Sequence, residues 1–238
     1  PWRIAIPVGK DSLSMKTIWQ NNKKTNLSPQ SLVISAFAKI KNVSNSITPQ
    51  LINKDELVLV YLDLSKNKKR LGGSILAEVT QQTNLETPNL ENLKEFPRIY
   101  NFLATNINKK RIYSFHDISD GGLVVSAVEM MLAGGCGLNL DFSKISFFND
   151  SSNLFSEELG VLFQINNKDF SGFKKDFTRL GLKNSFFRIG STNDSDELCL
   201  KTNNQTLRIN YKELMNSWSC VSYNIKLMRD NKETTKQE

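Results

Sequence analysis

The sequence predicts an α/β (α+β) fold, a mixed sheet packed with helices, and three observations carry that prediction. Apolar runs of strand length, such as residues 57–64 and 160–165, have few polar interruptions, the pattern of strands covered on both faces. Longer stretches repeat apolar residues at helical spacing, as in Leu123, Val124, Ala127, Val128 and Met131. The two patterns alternate with glycine and polar punctuation between them, as in a sheet with helices laid against it.

Taken in order, residues 2–8 are strand-like, with the apolar Ile4-Ala5-Ile6-Pro7-Val8, and lead into Gly9-Lys10-Asp11-Ser12-Leu13-Ser14-Met15-Lys16-Thr17. Here Gly9 lets the backbone approach a ligand, Lys10 offers an ammonium, and Asp11 can hold a cation. The hydroxyls of Ser12 and Ser14 can donate to phosphate. An ordinary turn stays open as the alternative, since Gly, Asp and Ser favour turns, and the glycine spacing of a Walker loop is absent. Residues 32–40 and 57–64 read as strands of a central, well-buried sheet. They are joined through Thr48-Pro49 and the polar Asn53-Lys54-Asp55-Glu56. Gly72-Gly73 open a helix that runs to Thr80, and residues 90–108 carry a second helical pattern interrupted by Pro97. A strand at 111–115 precedes the helix whose apolar stripe is given above, and Gly134-Gly135 stop that helix. A strand follows at 138–142, then a short helical pattern at 154–159 that contains Glu157-Glu158. Adjacent carboxylates on a helix point apart, so helix surface or compensation of the helix dipole is favoured there over an acid pair. Residues 160–165 are a strand, 170–180 a helix ended by Gly181, and 186–190, 198–201 and 206–209 short strands. The last helix, 211–229, spaces Leu214, Trp218, Val221, Ile225 and Met228 on one face, and the polar residues 230–238 read as a linker.

With 238 residues, 39% of them hydrophobic, the chain can bury a full core as one large domain, alone or with appendages. No apolar run reaches the roughly 18 residues of a membrane span, and the first residues lack the layout of a signal peptide, so a cytoplasmic protein without membrane attachment is expected. The chain starts at Pro1 inside a strand-like stretch, which fits a piece of a longer protein. Cys136, Cys199 and Cys220 are widely separated and lack metal-ligand spacing. They read as reduced thiols acting as small buried hydrophobes. The net charge of +7 permits nucleic-acid binding, but the lysines are scattered through Asn- and Lys-rich loops without interleaved aromatics. No nucleic-acid partner is expected.

One stretch stands apart: His116-Asp117-Ile118-Ser119-Asp120-Gly121-Gly122 joins a strand to a helix and holds the only histidine. A strand-to-helix loop aims free N–H groups beyond the strand end, which suits a phosphate with a magnesium ion held by a carboxylate. The plain alternative is that Ser119 or Asp120 caps the helix and the glycines let the chain turn.

Three blocks in sequence order, residues 6–17, Ser31-Leu32-Val33-Ile34-Ser35-Ala36-Phe37-Ala38 and 116–122, resemble the large phosphoribosylformylglycinamidine synthases, also called formylglycinamide ribonucleotide amidotransferases. The likeness continues through Phe155-Ser156-Glu157-Glu158-Leu159-Gly160 to Leu227-Met228-Arg229-Asp230-Asn231. It implies a segment at the end of the second synthetase half. Residues 1–27 would be the end of an N-terminal subdomain carrying the GKDSLSM loop. Residues 28–202 would be a C-terminal subdomain like that of aminoimidazole ribonucleotide synthetase, and 203–238 a helical connection toward a glutaminase domain. In that family ATP, ammonia from glutamine and formylglycinamide ribonucleotide give the amidine, ADP and phosphate. ATP or ADP with Mg2+, and the remaining synthetase and glutaminase domains, are therefore the implied cofactors and partners. The resemblance sets Gly9 by the nucleotide phosphates, Lys10 and Asp11 in catalysis near the metal, and Ser12 at the substrate. Asp117 and Ser119 would hold magnesium and nucleotide at a second site whose retained ADP is structural, with His116 a packed loop residue. A non-catalytic nucleotide-holding or assembly module is the alternative function.

Overall fold

The computed structural model describes residues 4–10, 16–21, 23–27, 32–40, 42–91, 93–148 and 152–237. They fall into two compact units, 1–44 and 45–238. In the first, β1 (Lys16–Trp19) and β2 (Lys24–Leu27) form an antiparallel hairpin with Lys16 opposite Leu27. Gln20 and Asn21 turn the chain in the left-handed region, at φ 56° and 53°, a conformation that Asn tolerates better than most side chains. The Asn- and Lys-rich stretch that reads as loop therefore closes a hairpin.

Residues 4–10 and 32–40 carry no strand, which corrects the expectation of a strand-like stretch in the first and of a buried strand in the second. Leu32 is 84% exposed and Phe37 95%. Apolar, β-branched composition makes a strand only where a partner takes the backbone groups and a second layer covers the side chains. Among the described residues of the first unit neither is present for 32–40.

The second unit is built on seven strands: β3 (Leu57–Asp63), β4 (Ile112–Asp117), β5 (Gly137–Asp141), β6 (Gly160–Asn166), β7 (Phe186–Asn193), β8 (Glu197–Lys201) and β9 (Thr206–Asn210). Their order is β4-β6-β3-β7-β5-β8-β9. All neighbours are antiparallel except the parallel pair β5 and β8, so the sheet is mixed, as the sequence predicts. β3 pairs on both edges and every residue in it is buried.

Seven helices accompany the strands in the described residues: α1 (Ile75–Val79), α2 (Phe96–Asn108), α3 (Gly122–Gly134), α4 (Ser152–Phe155), α5 (Phe170–Arg179), α6 (Tyr211–Arg229) and α7 (Lys232–Thr235). Side chains alternate across a strand, and β3 divides accordingly. Leu59 and Tyr61 pack with Leu123, Ala127, Met130 and Met131 of α3. Val58 and Val60 pack with Ile99 and Leu103 of α2 and with Phe173 and Phe177 of α5. On that second face Phe163, Phe173, Phe177 and Phe186 form an aromatic group with ring centroids 4.8 to 6.5 Å apart. Aromatic rings bury large areas and add edge and offset contacts at such distances.

Helix ends follow local chemistry. Pro97 lies in the first turn of α2, where its missing N–H has no helical partner to lose, so it starts the helix and does not interrupt it. Gly135, at φ 62°, ends α3 and donates back to the carbonyls of Met131 and Leu132. Two expectations are corrected. The helix predicted at 154–159 stops at Phe155, which leaves Glu157 and Glu158 in the connection to β6. The polar tail contains α7, capped by the Asn231 side chain accepting from the N–H groups of Glu233 and Thr234. Cys136 is buried, and burial pushes its thiol pKa up, whereas Cys199 is half-buried and Cys220 exposed. The reading of all three as buried hydrophobes thus applies to Cys136 alone.

Leu59, fully buried in β3, should cost about 2–5 kcal/mol of stability when replaced by Ala, because the site cannot collapse around the lost methyl groups. Leu32→Ala, in the other apolar run, should change stability by less than about 0.5 kcal/mol. Urea unfolding of the two variants checks both values.

Candidate functional site

Among the described residues β4 pairs with β6 alone, with Phe115 opposite Phe163, His116 opposite Leu162 and Asp117 opposite Val161. The strand ends at Asp117, and the chain turns through 118–121 into α3. Gly121 and Gly122 both take left-handed backbone, at φ 84° and 77°. A Cβ on Gly122 would lie 2.6 Å from the carbonyl carbon of Phe155, so glycine is required there both by backbone angle and by space.

The turn's own N–H groups are largely committed. Ile118 donates to the Gly160 carbonyl at 3.0 Å, and Gly122 to the Ser119 carbonyl at 3.0 Å. Ser119 donates to the Ser126 hydroxyl at 3.2 Å, and Gly121 to Glu157 Oε1 at 2.8 Å. The expectation of a loop that presents free N–H groups to phosphate is corrected on this point. Plain capping fails as well, because the residue at the helix start is Gly121 and no side chain caps it. What faces outward is the Asp117 carboxylate, 76% exposed, together with the exposed Asp120. The partly buried Ser119 hydroxyl lies 3.3 Å from that of Ser126. Two exposed carboxylates repel a bare anion and attract a cation, or an anion that arrives with one.

His116 is packed beside this turn. Its Nδ1 lies 2.5 Å from the Asp117 carbonyl oxygen, an acceptor only, so the contact is a hydrogen bond in the tautomer that carries the proton on Nδ1. Its Nε2 is 3.7 Å from Glu129 Oε2, while Glu129 Oε1 accepts from the Trp218 indole at 3.4 Å. The histidine thus has a carboxylate neighbour that the sequence does not reveal. An apolar groove of about 800 Å3 adjoins the turn, and its walls include Val125 and Phe155, the residues against which Gly121 and Gly122 are pressed.

Glu157 and Glu158, read from sequence as helix surface, are the main correction at the site. The Glu158 side chain is only 2% exposed and is forked to Arg70, with Nε to Oε1 at 2.7 Å and Nη2 to Oε2 at 2.8 Å. The Arg70 backbone N–H adds a third bond to Oε1 at 3.0 Å, and its Nη1 reaches Glu91 at 2.9 Å. Oε1 of Glu157 accepts from Gly121 and also from Ile75, at 2.8 Å each. Ile75 opens α1 just after Gly73, at φ 78°, and Ser74, whose hydroxyl accepts from the Ala77 N–H. The sequence marks that second turn by Gly72-Gly73-Ser74, but nothing in it pairs the turn with Glu157.

Of the residues the sequence singles out, Asp117 and Ser119 come together in this turn. Gly9 and Lys10 lie exposed in the first unit, while Asp11 and Ser12 fall outside the described residues. Among the described residues no group of three or more His, Cys, Asp and Glu side chains is placed to hold a metal ion unaided. None of the described helices is long and apolar enough to cross a membrane.

Residues 54–202 match the family described as AIR synthase related protein, C-terminal domain, and residues 2–39 match the FGAR-AT PurM_N-like domain. Among solved structures, Thermotoga maritima PurL complexed with FGAR superposes at a TM-score of 0.58 and 12% identity, over 72% of this chain and 30% of that one. PurLQS from the same organism gives 0.54 and 12%, over 72% and 28%. PurL complexed with ATP gives 0.53 and 9%, over 72% and 27%. At these identities the likeness is one of fold, and this chain spans less than a third of the length of these relatives.

The buried ion pair yields a test by substitution. Glu158→Ala leaves the Arg70 guanidinium without its forked partner and should lower the urea midpoint sharply, whereas the double change Arg70→Met with Glu158→Leu should recover most of that loss. A loss in the double variant equal to the sum of the losses in the two single variants would show that the pair is not coupled.

Proposed function

Because this chain belongs to the AIR synthase related protein family, with the family's C-terminal domain over residues 54–202, we propose that it forms part of an ATP-dependent carbon–nitrogen ligase of the phosphoribosylformylglycinamidine synthase kind. The observation that carries this reading is the pairing of that match with the FGAR-AT PurM_N-like match at 2–39. Formylglycinamide ribonucleotide and ATP are the substrates in this proposal, since they are the molecules complexed with the fold's relatives. The remaining synthetase and glutaminase domains are its partners.

The reaction moves the ATP γ-phosphoryl group to the formamide oxygen of the substrate, and ammonia then displaces phosphate to leave the amidine. Catalysis of that kind is mostly charge placement. Gly9, Lys10, Asp11 and Ser12 are the proposed phosphate-, metal- and substrate-facing groups of the first unit. In the second unit Asp117, with Asp120 beside it, is the proposed holder of Mg2+. Hard oxygen donors suit that ion, which is commonly bound by one or two carboxylates and completed by phosphates and water. Magnesium bound there would offset phosphate charge. Ser119 offers its hydroxyl to the nucleotide, and the committed N–H groups of the turn leave binding to side chains.

That commitment favours a second reading for this turn, a fixed mount that retains nucleotide without turning it over. Asp117→Asn should weaken Mg-ADP binding by about tenfold or more in calorimetry. Thermal unfolding should be nearly unchanged, because the side chain is exposed. With the remaining ligase domains supplied, amidine formation from formylglycinamide ribonucleotide, ATP and ammonia that is lost in Lys10→Ala supports the ligase reading. Retained Mg-ADP without turnover selects the mount.

A further inference from the structure

We propose that Glu157 is a positioning residue, a clasp that holds the glycine turn before α1 to the glycine turn before α3 and thereby fixes where Asp117 and Ser119 stand. The clasp is read from geometry alone; its effect on nucleotide rests on the preceding proposal. One oxygen, Oε1, accepts both the Ile75 and the Gly121 N–H at 2.8 Å, from residues 82 and 36 positions away in sequence. An ionised acceptor shared by two backbone donors makes the stronger class of hydrogen bond.

The neighbours make this carboxylate the connecting group. The next side chain, Glu158, is buried and forked to Arg70, so the backbone that carries Glu157 is anchored and the side chain need only reach outward. Arg70 belongs to the stretch that leads into Ile75, so residues 70–75 are tied to 157–158 at two points. The 118–122 turn is tied through Ile118 to Gly160, Ser119 to Ser126, and Gly121 to Glu157. Behind it, Gly122 is pressed on the backbone of Phe155 and Ser156. Two consecutive glycines allow many backbone shapes. Without the acceptor at Gly121 the turn samples several of them, and a ligand then has to order it on binding.

Amide hydrogen exchange and calorimetry on the 238-residue chain test this. Glu157→Ala should speed exchange at both 72–76 and 119–123 while leaving β3 and β6 protected. It should also weaken Mg-ADP binding by about tenfold. Glu157→Gln, which keeps the acceptor oxygen, should rescue most of both effects. Glu157→Asp, one methylene shorter, should loosen at least one turn and serves if the Ala variant does not fold. Faster exchange at only one turn in the Ala variant, or Mg-ADP affinity equal to wild type with both turns loosened, overturns the positioning role. If the unsubstituted chain takes up no Mg-ADP yet both turns loosen together, the clasp stands and the nucleotide reading falls.

Discussion

Everything in the second unit depends on β3, a strand whose two faces and two edges are all covered. A strand in that position can communicate with the surface only through its ends. At its exit Asp63 is fully buried, and its carboxylate accepts from Ser65 N–H at 3.2 Å, Ser65 Oγ at 2.6 Å and Asn67 N–H at 2.8 Å. These bonds shape the tight turn in which Lys66 and Asn67 take positive φ. Burial nevertheless outweighs them and raises the Asp63 pKa. The folded chain therefore holds this proton more tightly than the unfolded chain does. The contribution favours folding at pH below the ordinary carboxylate range and is lost as pH rises through the raised value. From that turn the chain reaches Arg70, whose buried pairing with Glu158 sets residues 70–75 beside the start of β6.

How much of this was legible in the sequence divides along the reach of the interactions. β3, β6, α3 and α6 were readable because local periodicity determines them, and each shows it in a window of a few turns or strand residues. Residues 32–40 are mostly apolar, as β3 is, and fail to be a strand. Composition describes what a segment can bury and not whether a neighbour exists to bury it. The Glu157-Glu158 pair misleads for a related reason. In a helix the two carboxylates would point apart to solvent, and here they also point apart, but one enters the protein to meet Arg70 and the other bridges two turns. Arg70 and Ile75 lie more than 80 residues upstream and Gly121 lies 36 upstream, all beyond any local pattern. The site itself was half legible. Asp117, Ser119 and the glycines were identifiable by type, while the occupancy of their N–H groups was not.

That occupancy changes the chemistry of the turn. A loop of free N–H groups is an anion cradle, whereas a loop whose donors already serve Gly160, Ser126, Ser119 and Glu157 is a rigid shelf. The carboxylates it leaves exposed are those of Asp117 and Asp120. Glu129 adds a third negative charge nearby, with His116 between it and Asp117. A net charge of +7 over the chain therefore gives no guide to the potential at this point, because the lysines are spread over other loops.

A negative shelf and a phosphate ligand are compatible only if a cation joins them. Among the described residues no cluster supplies three ligating side chains, so a cation here would be held weakly by the protein alone and firmly only together with phosphate oxygens. Binding of metal and nucleotide would then be coupled, each raising the affinity of the other by the same factor. Rigidity matters for such coupling, because a carboxylate that wanders gains less from the second ligand than one already in place. In the clasp proposed above, that placement would be secured from behind, by Glu157, whose Oε1 accepts from the Gly121 N–H.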